Sequence, residues 1–358
     1  MKILGIETSC DETAAAVVEN GRKILSNVLA SSSSIQSKSG GIIPEIAARE
    51  HVTSILPVIK QALFQALLAD KNTNFEDIDD AKLVAWARRN IDAIAVTAGP
   101  GLIGCLLVGV ETAKALSYAW TKPIIPVVHT LAHLYSNWLV KKSPPKMPAV
   151  VLTVSGGHTD LLLMKNHGEF QILGSTRDDT AGEAFDKIAR SLGLPFPGGP
   201  QIQKLAKSGD LKTLVLPRPL LNSNDLDFSF SGLKTAAIRE IKTGRYKNDD
   251  LAASVQDAIC DVLVRKTLRA VEKFKARTVL LAGGVAANTY LRDLLIKKSP
   301  VLVEVPPINL CTDNATFVAS YAYFNYHPIT WKKINAESDT FSTLEKYAMV
   351  ETTKSKVR

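Results

Sequence analysis

A chain of 358 residues, 46% of them hydrophobic, holds core enough for two domains. Its formal net charge of +8, from 43 basic against 35 acidic residues, favours a polyanionic partner. Cys10, Cys105, Cys260 and Cys311 lie far apart with no C-x-x-C pair, which excludes a disulfide framework and reads as reduced thiols in a cytoplasmic protein.

The opening "MKILGIETSCDET" fits neither a signal nor a transit peptide, so the mature protein is expected to begin here. Three strand-like runs follow, "KILGIETS", "TAAAVVE" and "RKILSNVLAS", with Asp11 and Glu12 in the polar turn between the first two. Further on, "DAIAVTAGPG" reads as a buried strand ending in glycines. The uncharged stretch from Ala93 to Val110 is broken by "AGPGLIG", unlike a membrane span, and a soluble protein is expected.

In "VVHTLAHLYS", His129 and His133 are four residues apart in a segment that reads as an apolar-faced helix. At 3.6 residues per turn the two imidazoles share a face and could grip one metal ion. The competing reading is a pair of helix histidines packed beneath a neighbouring element. A metalloprotease of the H-E-x-x-H type is disfavoured, because residue 130 is Thr and the general base is missing.

The Pro- and Lys-rich "KKSPPKMP", residues 141–148, reads as the boundary between lobes. After it the pattern returns: "MPAVVLTVS", "TDLLLMK" and "EFQILGSTR", then helices, then the buried strand of "RTVLLAGGVAAN". Three strands followed by alternating helix and strand, twice over, predict two related α/β lobes facing a central cleft. This is the duplicated ribonuclease H-like plan of the actin-like ATPases and sugar kinases. One lobe is expected over residues 1–140 with a returning segment from about 315 to 358, the other over 147–314. Within the returning segment "NATFVASYAYFNY" reads as a helix, and the last thirty or so residues as a loose tail.

Four glycine-rich turns, "VTAGPGLIG", "VSGGHTD", "PFPGGP" and "LAGGVAANTYL", are expected to admit a nucleotide-like ligand close to the backbone. No P-loop motif is present. In "RDDTAGEAFDK", Asp178 or Asp179 is suited to cap the helix that follows, whereas Asp186, inside it, could accept hydrogen bonds from ribose hydroxyls. Asp313, in the polar turn "CTDNA", is the candidate third ligand beside the histidines, leaving coordination positions open for substrate oxygens.

Taken jointly, "GIETSCDET", "TAGPGLIG", "HTLAH", "VSGGHTDL", "DDTAGEAFDK", "PFPGGP", "FSFSGLKTA", "LAGGVAAN" and "CTDNA" resemble the tRNA N6-adenosine threonylcarbamoyltransferase family, in its bacterial and organellar branch. The resemblance runs from Ile3 to about Ala319. It implies transfer of threonylcarbamoyl from threonylcarbamoyl-adenylate to N6 of the adenosine next to the tRNA anticodon, with release of AMP, on an actin-like fold. By position it implies metal ligands at His129, His133 and Asp313, with iron as the usual ion and zinc the alternative. It places adenylate contacts at Thr153, Val154, Ser155, Gly156, Gly157, Asp186, Gly199 and Asn288. Partners of the bacterial type would be an inactive paralogue and a small ATPase; organellar relatives act as homodimers.

Two departures stand out. Between the histidines "TLA" replaces the Glu-Gly common in the family, at positions that are not ligands, and "DDAKLVAWARRN" is longer than usual. The adenine amine is a poor nucleophile, so a base or close placement is needed, and Asp11 and Glu12 are the candidates. The basic residues of "WARRN", "KKSPPK", "REIKTGRYK" and "RKTLRAVEKFKAR" are expected to meet tRNA phosphates collectively. A different class of reading is an actin-like nucleotide-binding ATPase or chaperone module with a structural metal.

Overall fold

The computed structural model describes residues 1–32, 36, 42–70, 78–139, 143–348 and 350–352. They divide into two compact units, Met1–Pro144 with Asp313–Met349, and Pro145–Thr312 with the C-terminal strand. Lys141 and Lys142 of the expected linker lie outside the described residues.

In the first unit, β1 (Lys2–Glu7), β2 (Glu12–Glu19) and β3 (Lys23–Ser31) form an antiparallel meander. Helices α1 (Pro44–Leu68) and α2 (Asp80–Asn90) lead to β4 (Ala93–Gly99), which pairs parallel with β1. Helix α3 (Ile103–Trp120) then crosses to β5 (Ile124–Val128), parallel to β4, giving the sheet order β3-β2-β1-β4-β5. All seven residues of β4 are buried, as a central parallel strand covered on both faces requires. β3, at the edge, alternates exposed and half-buried positions over its second half.

α1 is 25 residues long and apolar enough to match a membrane span. Its buried stripe of Ala47, His51, Ile55, Val58, Ile59, Ala62, Leu63, Ala66 and Leu67 nevertheless belongs to a core helix, and it packs on β2 and β3. The longer-than-usual segment at 79–90 is α2, capped by the Asp79 carboxylate and docked through Leu83, Trp86 and Ala87.

The second unit repeats the plan. β6 (Ala149–Val154), β7 (Thr159–Asn166) and β8 (Glu169–Ser175) form a meander. Helices α5 (Ala181–Ser191), α6 (Gly198–Leu205), α7 (Ser231–Thr243) and α8 (Asn248–Phe274) follow; α4 is the single turn His129–Ala132 of the first unit. β9 (Thr278–Ala282) pairs parallel with β6, and α9 (Thr289–Lys298) leads to β10 (Leu302–Glu304), parallel to β9. The strand sequence 3-2-1-4-5 of the first sheet thus recurs as β8-β7-β6-β9-β10.

The chain then returns to the first unit as α10 (Ala315–Phe324), packed on β1 and β2, where Gly5 and Ala319 touch. The loose tail expected after it is a correction. Ile329 bridges Ile124, Glu337 N–H donates to the Ala98 carbonyl at 2.7 Å, and α11 (Thr340–Tyr347) is helical. Beyond it, β11 (Val350–Thr352) pairs with β8 of the second sheet. Asp313 and Asn314 therefore belong with the first unit and β11 with the second, the reverse of their expected assignment. Residues 353–358 of the tail lie outside the described residues.

Candidate metal centre and ligand turns

The His129–His133 segment is not the extended amphipathic helix its spacing predicts. β5 ends at Val128, α4 makes one turn, and a 3-10 stretch runs His133–Asn137, every residue of it buried. With no solvent face there is no amphipathic pattern, yet i and i+4 still project to one side.

His129 Nε2 and His133 Nε2 are 3.1 Å apart, and Asp313 Oδ1 lies 3.1 Å from His133 Nε2 and 3.7 Å from His129 Nε2. The three donors fall within 4.8 Å of one another. An ion at the ordinary ~2.1 Å from both nitrogens would subtend about 95° between them, a normal ligand angle, so the donor set fits a divalent metal. Phe317, on α10, packs against His133 with ring centroids 4.3 Å apart and planes tilted by 39°.

Behind the histidines sits a residue the sequence reading did not single out. Glu7, wholly buried at the end of β1, accepts from Ser9 N–H at 2.6 Å, the Thr97 hydroxyl at 2.6 Å and His129 Nδ1 at 3.0 Å. Burial alone would raise its pKa, but the His129 charge and hydrogen bond hold it below the usual carboxylate value. Burial likewise disfavours charge on His129, and the Glu7 and Asp313 carboxylates overcome it and lift the imidazole to about 9. A charged residue closing an otherwise apolar strand, "KILGIE", is the signal that could have pointed to it.

Asp11 and Glu12 lie within electrostatic range of the same centre. Burial, then the Asp313 charge, pushes Asp11 up; burial pushes Glu12 up to about 7, partly offset by the Ser31 hydroxyl bound to it at 2.8 Å. Their turn is pinned by another residue missed in the sequence, His51 of α1. The His51 Nε2 donates to the Cys10 carbonyl at 3.0 Å, leaving Nδ1 to accept the Thr13 hydroxyl at 2.7 Å.

The glycine-rich turns separate into two kinds. In "AGPGLIG" a Cβ on Gly101 would lie 2.6 Å from the Ser9 carbonyl, and Gly99 is backed by Glu337, so this turn packs against protein. It is a correction to the expectation that all four turns admit ligand. In the second unit, Gly156, Gly157, Gly199 and Gly284 have nothing within 4 Å of where a Cβ would stand. Their neighbours Gly182, Gly198 and Gly283 are filled: a Cβ on Gly182 would meet the Ser155 carbonyl at 2.5 Å, one on Gly198 the Asp186 Cα at 2.8 Å, and one on Gly283 the Val154 carbonyl. Gly283 packs "AGG" on "VSGG", while Gly182 and Gly198 pack "VSGG" and "PGG" against α5, and the open glycines leave space over their backbones, as close approach of a ligand requires.

The remaining expected contacts are also on these turns. Ser155 Oγ accepts from Gly157 N–H and His158 N–H, and Val154 and Thr153 are buried in β6. Asp186 accepts from Gly198 N–H at 2.7 Å and also bonds Gly199, so it holds the start of α6 in place. Asn288 caps α9 through Oδ1 and donates from Nδ2 to Gln256 at 3.1 Å, both ends of its amide being engaged within the protein. Capping of α5 falls to Thr180, not to Asp178 or Asp179. Asp178 instead accepts from Phe230 N–H and Ser231 N–H at the start of α7, and Asp179 pairs with Lys187 and Lys234.

Comparison with known proteins matches residues 23–320 to the family model of TsaD, tRNA N6-adenosine threonylcarbamoyltransferase. A protein of that name from Dehalococcoides mccartyi is 49% identical over 345 residues, 96% of this chain and 99% of the relative. One from Moorella thermoacetica is 48% identical over 332 residues, 90% of this chain and 92% of its own. Among solved structures, component A of (R)-2-hydroxyglutaryl-CoA dehydratase from Acidaminococcus fermentans aligns with TM-score 0.52 at 15% identity, over 91% of this chain and 98% of that one. HypF from T. kodakarensis aligns with TM-score 0.59 at 14% identity, over 90% of this chain and 47% of its own. At such identities these two structures speak to the fold alone.

Proposed function

The chain belongs to the tRNA N6-adenosine threonylcarbamoyltransferase family, and we propose that it builds t6A with one divalent metal held by His129, His133 and Asp313. The observation that carries this reading is the convergence of two histidines and one aspartate, distant in sequence, in a chain matched to the family over most of its length. In the reaction N6 of the tRNA adenosine attacks the carbamoyl carbon of threonylcarbamoyl-adenylate, the bond from that carbon to the phosphate oxygen breaks, and AMP leaves. The N6 proton passes to a base.

Iron is the metal assigned first, with zinc the alternative, since two histidines and a carboxylate form the three-ligand set of many iron(II) sites. When bound, it supplies Lewis-acid polarisation of the threonylcarbamoyl oxygens. Glu12 takes the N6 proton, its raised pKa being matched to work near neutrality, and Asp11 lies in the same turn. Gly156, Gly157, Gly199 and Gly284 admit the adenylate against open backbone, with Thr153, Val154, Ser155, Asp186 and Asn288 shaping those turns.

The enzyme acts in the cytoplasm, where its free cysteines stay reduced. Partner proteins dock on the first unit, where Val52 and Leu56 of α1 and Ile103 and Leu107 of α3, helices packed on one another, expose apolar side chains. An inactive paralogue with a small ATPase, or a second copy of the chain, is the proposed partner set.

Incubating purified protein with threonylcarbamoyl-adenylate and unmodified tRNA, adding candidate partners one at a time, tests the reading. Formation of t6A with stoichiometric AMP supports it. ATP hydrolysis without transfer, under every combination, would instead support the nucleotide-switch reading.

A further inference from the structure

We propose that Glu7 is the positioning residue of the metal centre, the group that commits His129 to binding through Nε2 and makes the two histidines unequal ligands. The proposal rests on the reading of His129, His133 and Asp313 as a metal site.

An ionised carboxylate accepts hydrogen bonds and donates none. Glu7 Oε2 stands 3.0 Å from His129 Nδ1, so in the neutral ring that nitrogen carries the proton, and the lone pair is left on Nε2, the atom facing His133 and Asp313. Glu7 itself is immobilised from two further sides, by Ser9 N–H on Oε1 and the Thr97 hydroxyl on Oε2. β1 and β4, paired in register through Ile3–Ile6, thus hold the carboxylate in place independently of His129. Carboxylate partners behind a ligating imidazole orient the ring and raise its basicity.

His133 lacks this support. Its Nδ1 is buried with no hydrogen-bond partner among the described residues. It is held by packing against Phe317 and by Asp313 in front. His129 is therefore the anchored ligand and His133 the yielding one.

Glutamine cannot replace Glu7. With its amide NH2 toward Ser9, two donors face each other. With NH2 toward His129, only the Ser9 hydroxyl at 3.3 Å is left to accept from Nδ1, a longer and uncharged partner, so the ring proton is driven toward Nε2, where the ion should bind.

The experiment uses the full-length protein and cobalt(II) as the probe. Glu7→Gln is expected to weaken cobalt binding by roughly 10- to 100-fold in chelator competition. Thr97→Val, which removes one donor to Glu7 and leaves the His129 contact, should weaken it by less. In cobalt-loaded wild type the His129 ring N–H should appear as a slowly exchanging, paramagnetically shifted proton resonance, lost or fast-exchanging in Glu7→Gln. Wild-type affinity with an unchanged resonance in Glu7→Gln would overturn the proposal. Should the wild type bind no cobalt, zinc or iron, the metal reading fails by itself. Glu7 is then judged by the ring 15N shifts of His129 in metal-free protein at alkaline pH: an Nδ1–H tautomer in wild type that switches in Glu7→Gln upholds its positioning role, and an Nε2–H tautomer in wild type overturns it. If Glu7→Gln fails to fold, Thr97→Val is read instead by cobalt affinity and by the exchange rate of the His129 ring N–H: weaker binding with faster exchange upholds the role of Glu7, and wild-type values of both overturn it.

Discussion

His129 Nε2 and His133 Nε2 face each other across 3.1 Å, closer than two neutral imidazole lone pairs tolerate unless a proton or a cation lies between them. Asp313 Oδ1 completes the same small space. His129→Ala and Asp313→Ala should each abolish stoichiometric metal while the far-UV circular dichroism stays that of the folded chain. Elemental analysis of both variants, purified under reducing conditions, checks this. Full occupancy in both would remove the site.

Neighbouring glycines of "AGGVAAN" should respond in opposite ways to valine. Gly284→Val places its side chain in open space, so the fold should survive while AMP binding falls roughly a hundredfold, about 2.7 kcal/mol. Gly283→Val meets the Val154 carbonyl at a φ of +89°, a left-handed conformation that costs ~1–3 kcal/mol before the clash is counted. Its loss should be in melting temperature. Calorimetric titration with AMP and thermal unfolding of both variants separate the outcomes, and undiminished AMP binding by Gly284→Val would argue against ligand over that turn.

Glu12 must be ionised to accept the N6 proton, and burial holds its pKa at about 7. Below that value the protonated form prevails, so the transfer rate should climb about tenfold per pH unit and level off above it. Substituting Glu12→Gln should lower the rate and flatten this limb. A limb of the same midpoint in Glu12→Gln would assign it to another group.

The net charge of +8 bears on tRNA affinity. If the chain itself meets about six phosphates, affinity should drop roughly a thousandfold between about 50 and 200 mM salt. Transfer from a bound adenylate should respond far less, because the proposed metal ligands are shielded from bulk ions. A flat plot of log K against log salt would place tRNA binding on partner subunits.

Much of this was legible because it repeats and alternates. "KILGIETS", "TAAAVVE" and "RKILSNVLAS" became β1 to β3, and "MPAVVLTVS", "TDLLLMK" and "EFQILGSTR" became β6 to β8, since strand periodicity and turn residues are local signals. The grouping of His129, His133 and Asp313 followed from spacing plus one polar turn. Glu7, His51 and Thr97 were not found, because each acts by contacting a residue distant in sequence; only Glu7 leaves a local trace, as the one acidic residue closing an apolar strand. The tail was misread for a related reason. Its order comes from backbone pairing, Ile329 to Ile124 and Glu337 to Ala98, which polar side chains do not advertise.

The first unit is discontinuous: Asp313 is the residue at which the chain re-enters it, after Pro145–Thr312 of the second unit have been threaded between. An ion shared by His133 and Asp313 would therefore act as a staple at the root of a very long loop, joining two pieces that sequence keeps far apart. Such a link removes conformational freedom from the unfolded chain, and the gain grows with the logarithm of the loop it closes. Metal loading at the proposed site would then be a folding event as well as a catalytic one. In a chain nicked within the second unit, the two halves of the first unit, already packed through α10 on β1 and β2, should separate less readily with the ion bound than without it.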